Sequence, residues 1–404
     1  MIQRSFYMNI LRTYRDIPLV KILPGVRGSG KSSILSLLKS DLLKNGVPED
    51  HIITMRCLSG VFGDMMTHKE LYNRVKAQFV DGNRYYLLLD EVQEIAQWER
   101  AVNSLLEDAN TDIYVAGSST RLLPREISTY LIGRYILVPV YPLSFAEFVD
   151  FKSTSRDKAK LAFKDYLQIG GFPLVASASF DEMTILQVVE GIYGSILIRE
   201  ILSHHKITNF ALFNSIVRYI IDNVGTTFSA NAIVKFIKRK GQAVSVEAVY
   251  NYLDWLEKAF VIFRCQRYDL QSKTVLKTQS KFYLAEVSLL YGILNTPYEE
   301  LKSQFKEDIL ENIVYFELRR RGYTVYIGKN ATKEIDFVAV RRDERIYIQV
   351  CRRLPDDSDR EIANLLEIND HYHKYVVTLD ELAAGNTNGV KIVHIADFLL
   401  SSEY

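Results

Sequence analysis

Apolar residues gather into five short runs over the first 140 positions, with helix-period patterns between them. Leu19–Leu23, His51–Cys57, Tyr85–Leu89, Asp112–Ala116 and Tyr135–Val140 read as strands. These runs are close to continuous rather than alternating, which marks strands covered on both faces. Such strands separated by helices predict an α/β fold built on a parallel five-stranded sheet. Pro142-Leu143-Ser144-Phe145 reads as an exit turn, after which the pattern is helical to about His205.

Beyond that point the periodicity changes twice. Ser229–Arg239 and Ser245–Ala259 read as helices joined by Lys240-Gly241-Gln242, with Val261–Tyr268 extended after them. Helix, turn, helix, strand is the order of a winged helix-turn-helix. From about Lys281 come a strand, a helix at Ile309–Arg321, and a strand at Tyr323–Ile327. A hairpin follows, with arms Glu334–Arg341 and Arg345–Val350 around the polar turn Arg342-Asp343-Glu344. The expected division is a core at 1–145, a helical lid at 146–206, a winged helix at 207–275 and a C-terminal α/β domain at 276–404.

Composition narrows the partners. A formal net charge of +1 creates no global field for nucleic acid, so any such partner would be held by local patches. Cys57, Cys265 and Cys351 are odd in number and widely spaced. That speaks against a disulfide framework or a zinc site and suits a reducing interior. No apolar run reaches the ~18 residues of a membrane span, and the N-terminus lacks a signal-peptide core. A soluble, cytoplasmic protein with no membrane partner is expected.

The chemistry concentrates after the first strand. Gly25-Val26-Arg27-Gly28-Ser29-Gly30-Lys31-Ser32 fits the P-loop pattern G-x-x-x-x-G-K-[ST] at every position, and Ser33 continues into the next helix. Glycines let backbone N–H groups curl around phosphates, Lys31 reaches the β- and γ-phosphates, and the Ser32 hydroxyl can ligate Mg²⁺. Ile17–Leu23 before the loop is largely apolar, and Ile34, Leu35, Leu38 and Leu42 recur at helical spacing until Asn45-Gly46. Strand, loop and helix form the required context for binding ATP with Mg²⁺. Tyr85–Leu89 runs into Asp90-Glu91; Asp90 would hold Mg²⁺ indirectly and Glu91 would polarise the attacking water. Ser119, at the carboxyl end of the fourth strand, is a candidate γ-phosphate sensor or else a polar loop residue. Arg134, just before the fifth strand, is either a solvated loop arginine or a finger acting on a neighbour, which requires an oligomer.

These motifs together resemble a family. Gly25–Ser32, Leu89-Asp90-Glu91-Val92-Gln93-Glu94-Ile95 with Trp98-Glu99, Ala116-Gly117-Ser118-Ser119, Gly133-Arg134-Tyr135 and Pro142-Leu143-Ser144-Phe145 resemble the prokaryotic AAA+ ATPases that carry a C-terminal domain of unknown function. The likeness continues through Gly170-Gly171-Phe172-Pro173, Asp222-Asn223-Val224-Gly225, Leu310–Tyr315 and Glu334-Ile335-Asp336-Phe337-Val338, so it covers essentially the whole chain. It implies an AAA+ core, a lid, a winged helix and a C-terminal fold similar to PD-(D/E)xK nucleases. Two departures stand out: Gly28 replaces a usual second loop arginine, and Ser119 replaces a usual asparagine.

The resemblance implies an ATP-hydrolysing switch acting on double-stranded DNA or a protein partner. The second winged-helix helix exposes Glu247, Asn251, Asp254 and Glu257, a poor surface for phosphates, whereas Lys235, Lys238, Arg239 and Lys240 suit them better. DNA contact and protein docking both stay open. In the C-terminal domain Glu311, Asp336 and Gln349 stand in the order of nuclease metal ligands, but the lysine expected two residues after Gln349 is Cys351. The expectation is a degenerate nuclease-like domain. The competing readings are an ATP-gated endonuclease and a nucleotide-binding scaffold with negligible turnover.

Overall fold

Runs of Val, Ile and Leu need two apolar surfaces to cover them, and the first sheet supplies both. Its strands are β1 (Val20–Pro24), β2 (Ile52–Arg56), β3 (Tyr85–Asp90), β4 (Thr111–Gly117) and β5 (Tyr135–Leu137). All pair in parallel, in the order β2-β3-β4-β1-β5. The three central strands are buried at every position, while the edge strand β5 is half-buried. Val20, Ile22, Leu87, Leu89 and Val115 face a core that includes Trp98 of the helix Trp98–Asp108. Leu23, Leu88, Tyr114 and Ala116 face another, against Ile34, Leu35, Leu38 and Leu42 of the helix Lys31–Lys44. Each valine, leucine or isoleucine among them contributes about 1.5–3 kcal/mol on burial. Lys39 of the same helix pairs with the exposed Glu49 of the turn Glu49–His51 at 2.8 Å, and solvent screens that contact. Packing, then, fixes the helix that follows the glycine loop.

The computed structural model describes residues 3–57, 66–80, 82–108, 110–119, 122, 129–155, 158–298, 307–354 and 359–404. They divide into two compact units, Met1–Pro142 with Lys258–Phe260, and Leu143–Glu257 with Val261–Tyr404. No helix among the described residues is long and apolar enough to cross a membrane. The cysteines Cys57, Cys265 and Cys351 are all buried, and none is in a disulfide.

The second unit opens with helices. Phe145–Phe151 starts on a capping box in which Ser144 and Glu147 exchange backbone hydrogen bonds, so Pro142-Leu143-Ser144 ends one element and caps the next. Ala159–Ile169 and Glu182–Ile196 follow, the latter continued by a π-helical turn, Leu197–Leu202. Phe210–Asp222, Ala230–Arg239 and Val246–Lys258 come next. An eight-stranded sheet, ordered β12-β13-β11-β10-β9-β8-β6-β7, completes the unit. Its strands are β6 (Ile262–Asp269), β7 (Thr274–Leu284), β8 (Thr324–Asn330), β9 (Lys333–Arg341), β10 (Glu344–Cys351), β11 (His373–Thr378), β12 (Gly385–Thr387) and β13 (Val390–His394). The helix Asp308–Arg320 precedes β8.

One difference from the sequence reading matters for the site below. The boundary expected at 275/276 falls inside β7, and the β6–β7 hairpin belongs to the same sheet as β8–β13. Thr274–Ser280 mixes valine and leucine with Thr, Lys, Gln and Ser, so it lacks the apolar run that announces a strand. Its pairing with β6, across a register shift between Cys265 and Arg267, is a tertiary choice.

Candidate functional site

The glycine loop bridges the carboxyl end of β1 and the helix Lys31–Lys44. At Gly28 φ is +86°, a left-handed conformation that glycine adopts freely and an arginine would not. Below the loop, the buried Arg4 donates to the Ser29 carbonyl at 2.7 Å and the Tyr141 carbonyl at 3.0 Å, holding the turn from behind. Sequence reasoning missed Arg4, whose only signal is an arginine beside an otherwise amphipathic helix, Ser5–Thr13. Val26 is buried. Ser29 Oγ is buried without a hydrogen-bond partner among the described residues, a donor turned into the loop. Ser33 lies exposed on the first helical turn.

Lys31 Nζ donates to the carbonyls of Gly25 (2.9 Å) and Val26 (3.0 Å), which keeps the ammonium inside the loop. Ser32 Oγ donates to Asp90 Oδ2 at 2.6 Å. The two side chains expected to share Mg²⁺ thus meet at the carboxyl edge of the sheet, where β1 and β3 end. An ammonium, a hydroxyl and a carboxylate beside a helix N-terminus form a donor set that fits a magnesium-bound polyphosphate.

Glu91 follows β3 with φ +54°, an uncommon backbone for a residue other than glycine. Outliers of this kind cost about 1–3 kcal/mol and collect at functional sites. Its Oε2 accepts from Gln93 Nε2 at 2.6 Å and Ser118 Oγ at 3.0 Å, and Arg27 Nη1 lies 3.5 Å from Oε1. Arg27 Nη2 also donates to Ser118 Oγ at 3.3 Å. Burial pushes the Glu91 carboxyl up, but Lys31, Arg27 and the bonds from Gln93 and Ser118 outweigh it, leaving it below its ordinary value. Burial also pushes Asp90 up; the Ser32 bond opposes that, and Glu91 adds to it. Glu91 is therefore held toward its ionised form, in a state to accept a proton.

Gln93 and Ser118 were not singled out by the sequence. Ser119 was, but Ser118 is the serine that touches Glu91; Ser119 is buried next to it, its carbonyl accepting from Leu122 N at 3.2 Å. A signal did exist in Gly117. A Cβ there would lie 2.0 Å from Gln93 Oε1, so the glycine admits the side chain that orients Glu91. Arg134 lies elsewhere. Its carbonyl accepts from Val20 N at 2.8 Å, at the amino end of β1, and its guanidinium pairs with Glu107 and with Asn103. Within one chain it is not brought to the glycine loop.

In the second unit, the predicted nuclease trio is buried and close together. Glu311 stands on the helix Asp308–Arg320, Asp336 on β9 and Gln349 on β10. Asp336 Oδ2 accepts from Val350 N at 2.7 Å, and Gln349 Oε1 accepts from Asp336 N at 3.1 Å. Lys281 of β7, unremarked in the sequence, places Nζ 3.0 Å from Glu311 Oε2 and 3.0 Å from Glu334 Oε1. Cys351 packs into an apolar core with Ile335, Val338 and Tyr347.

The helix Val246–Lys258 buries Val249, Leu253 and Leu256 and exposes Glu247, Tyr250, Asn251 and Asp254. Val246, expected in its buried stripe, is 36% exposed because it opens the helix. Lys235, Lys238, Arg239 and Lys240 are exposed at the end of the preceding helix.

Comparison with known proteins places these features. An AAA domain model matches residues 18–149, and a Domain of unknown function (DUF8612) matches 160–300. An uncharacterized protein of Haemophilus influenzae is 32% identical over 404 residues, 99% of each chain. An uncharacterized protein of Methanocaldococcus jannaschii is 28% identical over 362 residues, 85% of this chain and 77% of that one. The solved Walker-type ATPase of Pyrococcus abyssi superposes with a TM-score of 0.50 at 14% identity, covering 73% of this chain and 96% of its own. At that identity the likeness speaks for the fold alone.

Proposed function

We propose, for a chain that belongs to the same family as its uncharacterized Haemophilus influenzae relative and carries an AAA domain over residues 18–149, an ATP-hydrolysing switch that acts on DNA or on a protein partner. The observation that carries this reading is the meeting of Ser32 with Asp90 at 2.6 Å, beside a Glu91 carboxylate oriented by Gln93, Ser118 and Arg27.

Backbone N–H groups of Gly25–Ser32 would cradle the phosphates, and Lys31 would exchange its two carbonyl partners for phosphate oxygens. Ser32 and Asp90 would hold Mg²⁺, which when bound screens the phosphate charge and orients the chain of phosphates. Glu91 would take the proton of the attacking water, its carboxylate kept in place by Gln93 and Ser118. Arg27 stands where its charge reaches both Glu91 and the loop. Arg134 would act only from a second copy, which must draw it away from Glu107. The exposed lysines and arginine of 235–240 offer the surface for an anionic partner such as duplex DNA.

Lys31→Ala tests the site. Each lost contact between the ammonium and a phosphate oxygen costs about 1.5–3 kcal/mol, so ATP affinity should fall at least ~100-fold by titration calorimetry. Wild-type affinity in this variant would place nucleotide binding elsewhere. Assembly is read separately, as mass in solution with Mg²⁺ and a slowly hydrolysed ATP analogue. A rise above the monomer's 46.5 kDa is expected, to a lesser degree in Arg134→Ala. An unchanged mass would remove Arg134 from the mechanism.

A further inference from the structure

A nuclease of the PD-(D/E)xK kind would hold a divalent metal between Glu311, Asp336 and residue 349. The groups present here do not fit one. Residue 349 is a neutral glutamine whose carbonyl oxygen accepts from Asp336 N, and Asp336 Oδ2 accepts from Val350 N at 2.7 Å. Glu311 Oε2 accepts from both Lys281 Nζ, at 3.0 Å, and Tyr283 OH, at 2.8 Å. Among the described residues no three histidines, cysteines or carboxylates converge in a metal-holding arrangement.

A cation is present all the same, and it is covalently part of the chain. Lys281 is 5% exposed, Glu311 6% and Asp336 8%. An ammonium buried that deeply among carboxylates is retained only when paired and hydrogen-bonded. Its bonds to Glu311 and Glu334 meet that requirement, and Arg267 pairs with the outer oxygen of Glu334. Three carboxylates therefore face two fixed cations, and a divalent ion would have to displace the ammonium from oxygens it already holds.

We infer that the Lys281 ammonium is the resident cation of this cluster and excludes a divalent metal, so the C-terminal sheet is a metal-free module that does not cut nucleic acid. The inference rests on reading residues 276–404 as nuclease-like and is independent of ATP turnover. It also explains why β7 is joined to the sheet: the strand delivers the lysine. Position 351 is then free to be a core thiol.

The test is Mn²⁺ binding by the full chain without nucleotide, followed by electron paramagnetic resonance. Wild type and Asp336→Asn should give superimposable titrations. Lys281→Met should bind one additional Mn²⁺ per chain, and that ion should be lost in Lys281→Met/Asp336→Asn. If wild type binds an ion that Asp336→Asn removes, Lys281 does not exclude metal and the inference fails. If a folded Lys281→Met gains none, the cluster was never a metal cradle, and the nuclease likeness fails with it. Should Lys281→Met not fold, the comparison of wild type with Asp336→Asn decides alone. Plasmid nicking in Mg²⁺ or Mn²⁺ that depends on Asp336 would overturn the proposal by a separate route.

Discussion

Glu91→Gln is expected to bind ATP as tightly as the wild type while hydrolysing it about 10²–10⁴-fold more slowly, the usual contribution of a positioned general base. The amide matches the carboxylate in shape, and its oxygen can still accept from Gln93 Nε2 and Ser118 Oγ, which lie 2.6 and 3.0 Å from Glu91 Oε2. What it loses is the capacity to take a proton. Binding is carried by the loop amides, Lys31 and Ser32, none of which is altered. The paired readouts are dissociation constant and single-turnover phosphate release. Turnover within a few-fold of wild type would move the base to another residue, whereas lost binding would show that Glu91 shapes the loop rather than the chemistry. The sign of the pH dependence also follows. Since Lys31, Arg27, Gln93 and Ser118 outweigh burial and keep this carboxyl below its ordinary value, protonating it should not limit turnover anywhere near neutrality. A loss of rate on mild acidification would have to arise elsewhere, and Asp90, which burial raises, is the group to examine.

How much of this was legible in the sequence divides by physical cause. All five strands of the first sheet were read, most plainly the three central ones, because a parallel strand buried on both faces writes itself as a continuous apolar run. Asp90 and Glu91 were read because they end such a run. Gln93, Ser118 and Arg4 were not, since their importance comes from which carbonyl or carboxylate they meet after folding. Glu91's left-handed backbone and the register that sets Asp90 opposite Ala116 are likewise tertiary facts. The second sheet was harder. The first half of β7 carries no apolar run, and Lys281 looks like any surface lysine until β7 pairs with β6 and turns it among Glu311, Glu334 and Asp336. Charged residues in a strand pattern usually announce a solvent face; here they announce a buried ion cluster.

The same blindness hid a second buried ion pair, and it governs stability rather than chemistry. Lys21 in β1 and Asp112 in β4 have fully buried side chains and pair with each other. Lys21 Nζ also donates to the Ile17 carbonyl at 2.7 Å, and Asp112 Oδ2 accepts from Tyr114 OH at 2.8 Å and Asp16 N at 2.9 Å. Burial pushes the Lys21 ammonium below its ordinary value, and Asp112 offsets that only in part. The pair is therefore tolerated more than it is favourable, yet breaking it from one side is costly. Lys21→Met should destabilise the first unit by about 3–5 kcal/mol, because a buried carboxylate loses its counter-charge. For a unit of this size that is a fall of roughly 10 °C or more in midpoint. The transition to follow is the one that ATP with Mg²⁺ raises, which assigns it to the unit carrying the glycine loop. Lys21→Met/Asp112→Asn should recover most of the loss, since the amide oxygen keeps the bonds from Tyr114 and Asp16 without a charge to compensate. A single variant within ~1 kcal/mol of wild type would mean that water reaches Asp112, and a double variant no better than the single would mean that the methylene stem of Lys21, not its charge, holds β1 against β4.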